Sequence, residues 1–360
     1  MAIKINTTEL LQILETTPSN QNIMLMGKHG IGKSQILSEY FTAKGCKVVP
    51  LFLGQMSDPG DLIGLLHKND STGHTEFMPP YWFPTDDTPV VLFLDELNRA
   101  RPEVLQTIMD LALNRTLAGR SLPKGSRIIS AVNNGEEYQL TDLDPALVSR
   151  FNIYEFTPTV SEWLLWAEKN HLDKRVIDFI SHNSEYLDGD SKKIEDGSLE
   201  KNPDRRAWER VSQIISSAKP EDINSVYKKN IAGIIGTKAT SKFFDSLKSS
   251  RVISGIDLLS KDFETLKVVF SKYTTPNFAV LNESIFRILE TTAFNKKESA
   301  LAAKNLQLYF DFLGQLKQRE AMAHFASIFG KPDYPNSLMF IIQNVPELYK
   351  QVTTFIREIK

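Results

Sequence analysis

Gly27-Lys28-His29-Gly30-Ile31-Gly32-Lys33-Ser34 is the stretch on which the reading of this chain turns. Gly27 and Gly32 tolerate backbone angles that expose successive N–H groups to one anion. An apolar run, residues 23–26, precedes the loop, and a helical stretch, residues 32–44, follows it. That helix aims the positive end of its dipole at the same anion. Lys33 then supplies a cation for the outer phosphates of a nucleoside triphosphate, and the Ser34 hydroxyl a ligand for Mg²⁺. The candidate binding set is Gly27, Lys28, His29, Gly30, Ile31, Gly32, Lys33, Ser34 and Gln35. A plain glycine-rich turn is the competing reading, and the strand and helix on either side count against it.

Outward from the loop, strand-length apolar runs at 22–26, 47–53, 89–94, 127–132 and 152–156 alternate with helical stretches at 32–44 and 102–114. Strands separated by helices predict a parallel sheet covered on both faces. Asn6-Thr7-Thr8-Glu9 reads as a capping box before a first helix. Val90-Val91-Leu92-Phe93-Leu94-Asp95-Glu96 is a buried-strand run ending in two carboxylates. Beside a phosphate loop, Asp95 is placed to hold Mg²⁺ through water and Glu96 to polarise an attacking water as general base. Asn133 ends the next run; it reads as a turn residue or as an amide that orients that water. Arg150, before the last run, reads on its own as a surface ion-pairing residue.

After residue 156 the strands stop and helical spacing takes over. Thr159-Val160-Ser161-Glu162 opens a helix carrying Trp163, Leu164 and Trp166, and Val176, Ile177, Phe179 and Ile180 mark a second. Residues 188–204 are polar and glycine-bearing and read as an exposed connector. Trp163, Trp166 and Trp208 are candidates for the core of this helical part.

Composition bounds the rest. At about 150 residues per domain, a chain of 360 residues implies two to three domains. Lys plus Arg is 42 against Asp plus Glu 44, so bulk charge does not drive nucleic-acid binding, although a local basic groove stays open. One cysteine, Cys46, excludes an internal disulfide or a cysteine-built zinc site, and the six histidines form no H-E-x-x-H pattern. The opening MAIKINTTEL resembles no targeting segment, and no apolar run approaches the roughly 20 residues of a membrane span. The expectation is a cytoplasmic protein.

GKHGIGKS, VVLFLDELNRA, AVNN, LDPALVSRF and PDRRAWERVS, in this order, resemble the AAA+ ATPases, particularly the MoxR-like branch. The resemblance extends from residue 1 to about 250 and includes Asp58-Pro59-Gly60-Asp61-Leu62-Ile63-Gly64, the Leu94–Ala100 motif and a hairpin insert at 115–120. It implies an α/β fold with a five-stranded parallel sheet ordered 5-1-4-3-2, a helical lid and further C-terminal helices. It gives a nucleotide-binding domain at 1–157 and a lid at 158–250; beyond it, helical spacing alone marks a C-terminal helical domain of open role at 251–360. By resemblance, Asn133 is sensor 1, Arg150 the arginine finger acting on a neighbouring subunit's nucleotide, and Arg206 sensor 2, with Arg205 as the alternative register. The implied activity is hydrolysis of ATP with Mg²⁺ in a hexameric ring that remodels a protein client, with a von Willebrand A-domain protein as a possible partner. Asn134, where many relatives carry proline, and His29 depart from the pattern. Two other functions stay open: a nucleic-acid-stimulated motor or loader drawing on Lys228-Lys229 and Lys296-Lys297, and a nucleotide-gated scaffold with little turnover.

His67 and His74 bracket a polar stretch that reads as a loop tip, and residues 78–84, MPPYWFP, as a rigid loop packed on the core or a contact surface.

Overall fold

The computed structural model describes residues 2–133, 143–189, 201–218, 224–248 and 253–359. The chain divides into two compact units, Met1–Thr159 and Val160–Lys360.

The first unit runs β1 (Ile3–Ile5), α1 (Thr7–Thr16), β2 (Asn22–Gly27), α2 (Lys33–Ala43), β3 (Lys47–Phe52), α3 (Gly60–Ile63), β4 (Leu65–Lys68), β5 (Thr75–Met78), β6 (Val90–Asp95), α4 (Pro102–Asn114), β7 (Thr116–Leu117), β8 (Arg120–Ser121), β9 (Arg127–Asn133), α5 (Pro145–Val148) and β10 (Phe151–Phe156). Its main sheet is parallel, in the order β1-β10-β2-β9-β6-β3. The five strands expected from the sequence keep the order 5-1-4-3-2, and β1 adds a sixth at the edge, Ile3 opposite Tyr154 and Ile5 opposite Phe156. The five-strand expectation is corrected on this point. Three residues with one buried side chain are too short to show a period, and only pairing with β10 makes them a strand.

Side-chain alternation sorts the core onto the two faces of the sheet. Ile23, Leu25, Val91, Phe93, Ile129 and Ala131 pack with Leu10 and Leu14 of α1 and Leu37 and Phe41 of α2. Met24, Leu92, Leu94, Ile128 and Val132 pack with Val104, Leu105, Ile108 and Leu111 of α4. Covered on both faces, β2 and β6 read in sequence as unbroken apolar runs. The capping box before α1 forms: Glu9 N donates to Asn6 Oδ1 and Asn6 N to Glu9 Oε2, each at 2.9 Å.

Two hairpins leave the sheet. Between β4 and β5, Asn69 Oδ1 accepts from Ser71 N and Thr72 N, so the stretch between His67 and His74 is a loop tip. Between β7 and β8, Ala118 and Gly119 both have positive φ, as a tight two-residue turn requires. In the loop before β6, Trp82 and Phe83 are buried in the core, whereas Tyr81 is 97% exposed.

Among its described residues the second unit is helical and has no strand: α6 (Val160–Lys169), α7 (Lys174–His182), α8 (Arg205–Ile215), α9 (Ser225–Ile235), α10 (Thr237–Lys248), α11 (Gly255–Ser260), α12 (Phe263–Phe270), α13 (Thr275–Thr291), α14 (Lys296–Gln315), α15 (Arg319–Phe329), α16 (Pro335–Asn344) and α17 (Pro346–Ile359). It holds two apolar clusters. One gathers Trp163, Val176, Phe179, Trp208, Ile231 and Phe243, with Trp166 half-buried at its margin. Trp208 Nε1 donates to Tyr186 O at 2.7 Å, which satisfies the one polar atom of that ring. The other cluster centres on α13 and α14 with Phe278, Phe286, Tyr309 and Phe325. Of the connector, residues 190–200 lie outside the described residues; its ends are tied, Gly189 N donating to Pro203 O at 2.7 Å.

A buried ionic group joins the two clusters. Arg287 of α13 is 1% exposed; its Nη2 donates to Ser181 Oγ at 3.0 Å and its Nε lies 4.0 Å from Glu168 Oε1. Burial pushes the carboxyls of Glu168 and Asp178 up, against the pull of Arg287 and Lys174. These two groups therefore favour the folded state increasingly as pH falls, and that contribution is lost as pH rises through their raised values. Removing one partner of a buried pair costs about 3–5 kcal/mol, so Arg287→Met is expected to destabilise the protein by that order at neutral pH. The loss should shrink at about pH 5 relative to about pH 8, where both carboxylates are left charged without the guanidinium. Urea unfolding at the two pH values measures this, and equal losses would show that the ionic group carries none of the stability.

Candidate active site

The candidate groups come from the carboxyl ends of adjacent strands. With β9 between β2 and β6, Gly27 is in register with Asn133, and Asp95 ends the strand on the far side of β9. The loop after β2 crosses this edge. Gly30 and Gly32 have φ of 75° and 93°, a region that side chains disfavour. Ile31 is buried in the core beside α2 and anchors the loop, while Lys28 and His29 stand exposed. As the residue before α2, Gly32 has no side chain to cap the helix, which leaves first-turn N–H groups for an anion.

Lys33 is the pivot. It is 6% exposed, and its ammonium donates to Gly27 O and Lys28 O, each at 2.9 Å, and to Asn133 Oδ1 at 3.0 Å. Asn133 is held in turn by a buried amide, since Asn98 Nδ2 donates to Asn133 O at 3.0 Å and Asn133 N to Asn98 Oδ1 at 3.4 Å. Asn98 was quoted in the sequence motif without a role. A polar residue between Leu97 and Ala100, both buried, was the available signal. Asn134 lies outside the described residues.

Ser34 Oγ donates to Asp95 Oδ2 at 3.0 Å, and Asp95 Oδ1 accepts from Glu96 N at 2.9 Å. A hydroxyl and a carboxylate oxygen in mutual contact are a hard-oxygen donor set of the kind Mg²⁺ takes together with water and phosphate. No cluster of three or more His, Cys, Asp or Glu exists among the described residues to form a separate metal site. Glu96 has φ 55°, and its carboxylate pairs with Arg99 at 2.8 Å. Gln35, in the first turn of α2, donates to Glu39 at 2.9 Å. Ser34 and Gln35 also line a cleft of about 270 Å³ bounded by Val48, Pro50, Phe52 and Phe93.

Two arginines lie elsewhere. Arg150 precedes β10, whose Phe151 pairs with Asn22 at the amino end of β2. The five residue steps from Asn22 to Gly27 put it roughly 17 Å along the sheet from the phosphate loop of its own chain. Its Nη1 donates to Ala146 O at 2.7 Å and Ser149 Oγ at 2.8 Å. In the second unit, Arg205 is buried against Asp188, with Nη2 to Oδ2 at 2.9 Å, while Arg206 is exposed on α8.

A methyl added at Gly27 would lie 2.8 Å from Ile31 Cδ1 and 2.9 Å from Phe156 O. The isoleucine can turn aside, but the strand carbonyl cannot. Gly27→Ala is therefore expected to displace the loop and weaken nucleotide binding by about tenfold or more, roughly 1.4 kcal/mol. Titration with a fluorescent ADP analogue measures it, and unchanged affinity would show that the close approach at Gly27 is not what shapes the site.

The AAA domain of the dynein-related subfamily matches residues 22–151. Among curated proteins, "Putative chaperone BssE" of Thauera aromatica is 28% identical over 141 residues, 37% of this chain and 49% of that protein. The match thus spans about half the length of that relative. Similar solved structures include NtrX from Brucella abortus in complex with ADP, at 13% identity, 77% of this chain, 63% of that one and a TM-score of 0.38. The RuvB Holliday junction branch migration motor of Thermotoga maritima follows at 15% identity, 74% of this chain, 76% of that one and a TM-score of 0.36. The phosphate loop, the acidic strand end and the order of the core strands agree with that domain match: residues 22–151 of the chain form an AAA domain similar to those of the dynein-related subfamily.

Proposed function

We propose that this protein hydrolyses ATP in an oligomer and uses the cycle to remodel a protein client. The observation that carries the reading is the junction of Lys33, Asn133, Ser34 and Asp95 at one edge of the sheet. The exposed N–H groups of the loop and the dipole of α2 bind the phosphates, and Lys33 moves from the loop carbonyls to the γ-phosphate. Ser34, and Asp95 through water, would hold Mg²⁺, which would supply charge neutralisation for the transferring phosphoryl group. Glu96 takes the proton of the attacking water, and Asn133 orients that water.

Arg150 is too far along the sheet to reach its own loop, which supports its action on the nucleotide of a neighbouring copy. In the transition state it would stabilise charge spread over the phosphoryl oxygens. Arg206, exposed while Arg205 is committed to Asp188, serves as sensor 2 in this reading. The division at 1–157, 158–250 and 251–360, the hexameric ring, the cytoplasmic location and a von Willebrand A-domain partner belong to the same proposal. The chaperone name of the Thauera relative supports a protein client. Among the described residues no helix is long and apolar enough to cross a membrane.

Phosphate release per chain is expected to rise with protein concentration. Arg150→Ala should lower turnover by about a thousandfold, the low end of what an arginine finger contributes, while nucleotide binding persists. Full turnover by Arg150→Ala in the assembled state would remove it from the site. The second reading, a nucleic-acid motor, draws on Lys228 and Lys229, both exposed on α9. Stimulation of turnover by DNA or RNA at low salt would favour it.

A further inference from the structure

The turn after β6 contains a contact that the proposed chemistry does not use. Glu96 is the residue at which the chain leaves the strand, in the left-handed region at φ 55° and ψ 40°. That bend starts a 3-10 turn, Leu97–Arg99, in which Arg99 N donates to Glu96 O at 2.8 Å. The turn brings the guanidinium of Arg99 back onto the carboxylate of Glu96, Nη1 to Oε1 at 2.8 Å, with Glu96 half-buried and Arg99 at the surface.

A second element closes on the same pair. The 3-10 turn after β3, Leu53–Gln55, places Gly54 against them. A Cβ there would lie 2.9 Å from Glu96 Oε2 and 3.2 Å from Arg99 Cβ. Gly54 is not among the glycines of positive φ, so close approach, not backbone angle, is what makes glycine fit there. Arg101 ties the same two segments a few residues on, its Nη1 donating to Ser57 O at 3.1 Å.

We infer that Arg99 is a positioning residue for the general base: with Gly54 as its backstop, it fixes one oxygen of the Glu96 carboxylate and so orients the other for proton abstraction. The inference rests on the reading of Glu96 as base. A glutamate has three rotatable bonds, and a carboxylate that wanders by about 1 Å can lose up to a hundredfold in rate. A bond to Oε1 and a wall beside Oε2 remove that freedom before the water arrives.

Steady-state ATP turnover of the full chain, at concentrations where it is assembled, tests this. Arg99→Ala is expected to lower kcat by roughly ten- to a hundredfold with KM for ATP and affinity for a fluorescent nucleotide unchanged. Arg99→Lys, which keeps a cation in reach, should recover part of the loss. Gly54→Ala should also lower kcat at unchanged KM, because its methyl pushes on Oε2; thermal melting of each variant confirms that it is folded. A kcat for Arg99→Ala within twofold of the parent, a loss confined to KM, or no recovery by lysine would overturn the assignment. Glu96→Gln run alongside separates the two claims. Full turnover by Glu96→Gln sinks the base itself, whereas a dead Glu96→Gln beside an unimpaired Arg99→Ala sinks only the positioning role.

Discussion

The ammonium of Lys33 sets the arrangement at the carboxyl edge of the sheet. Buried and bonded to two loop carbonyls and the side chain of Asn133, it ties the phosphate loop to the end of β9, the strand between β2 and β6. A charged amine is tolerated in so dry a place only because each of its N–H bonds has an acceptor. Asn98 holds the backbone of Asn133 from the turn that carries Glu96 and Arg99. Loop, Asn133 and Asn98 are thus parts of one buried polar network, and a shift in any of them is felt by the others.

The parallel sheet has a further consequence. All strands point the same way, so their carboxyl ends gather Gly27, Asp95 and Asn133 at one edge, while the amino end of β10 carries Arg150 to the other. A cation at that end of the sheet lies out of reach of the phosphate loop of its own chain, and this separation is what the proposed role of Arg150 starts from.

In the second unit, stability and sensitivity are separated. Aromatic and aliphatic side chains fill both clusters, but the junction between them is ionic, with Arg287 facing Glu168 and Ser181. Apolar packing adapts to small displacements, whereas a buried ion pair does not. The contact between α6 and α13 is accordingly the point at which these helices are held in one arrangement.

Much of this was legible in residue order because local physics dictated it. Unbroken apolar runs revealed β2 and β6, glycine spacing revealed the loop, Asn6 and Glu9 revealed the first cap, and the helices at 33–43 and 102–114 fell within a residue of expectation. Such features depend on neighbours a few positions apart. The edge strand Ile3–Ile5, the bond from Lys33 to Asn133 a hundred residues away, the pairing of Arg205 with Asp188, and the clasp of Gly54 on Glu96 and Arg99 did not follow from the sequence. Each depends on which distant backbone lies alongside, and that is decided when the sheet and helices close around a shared core.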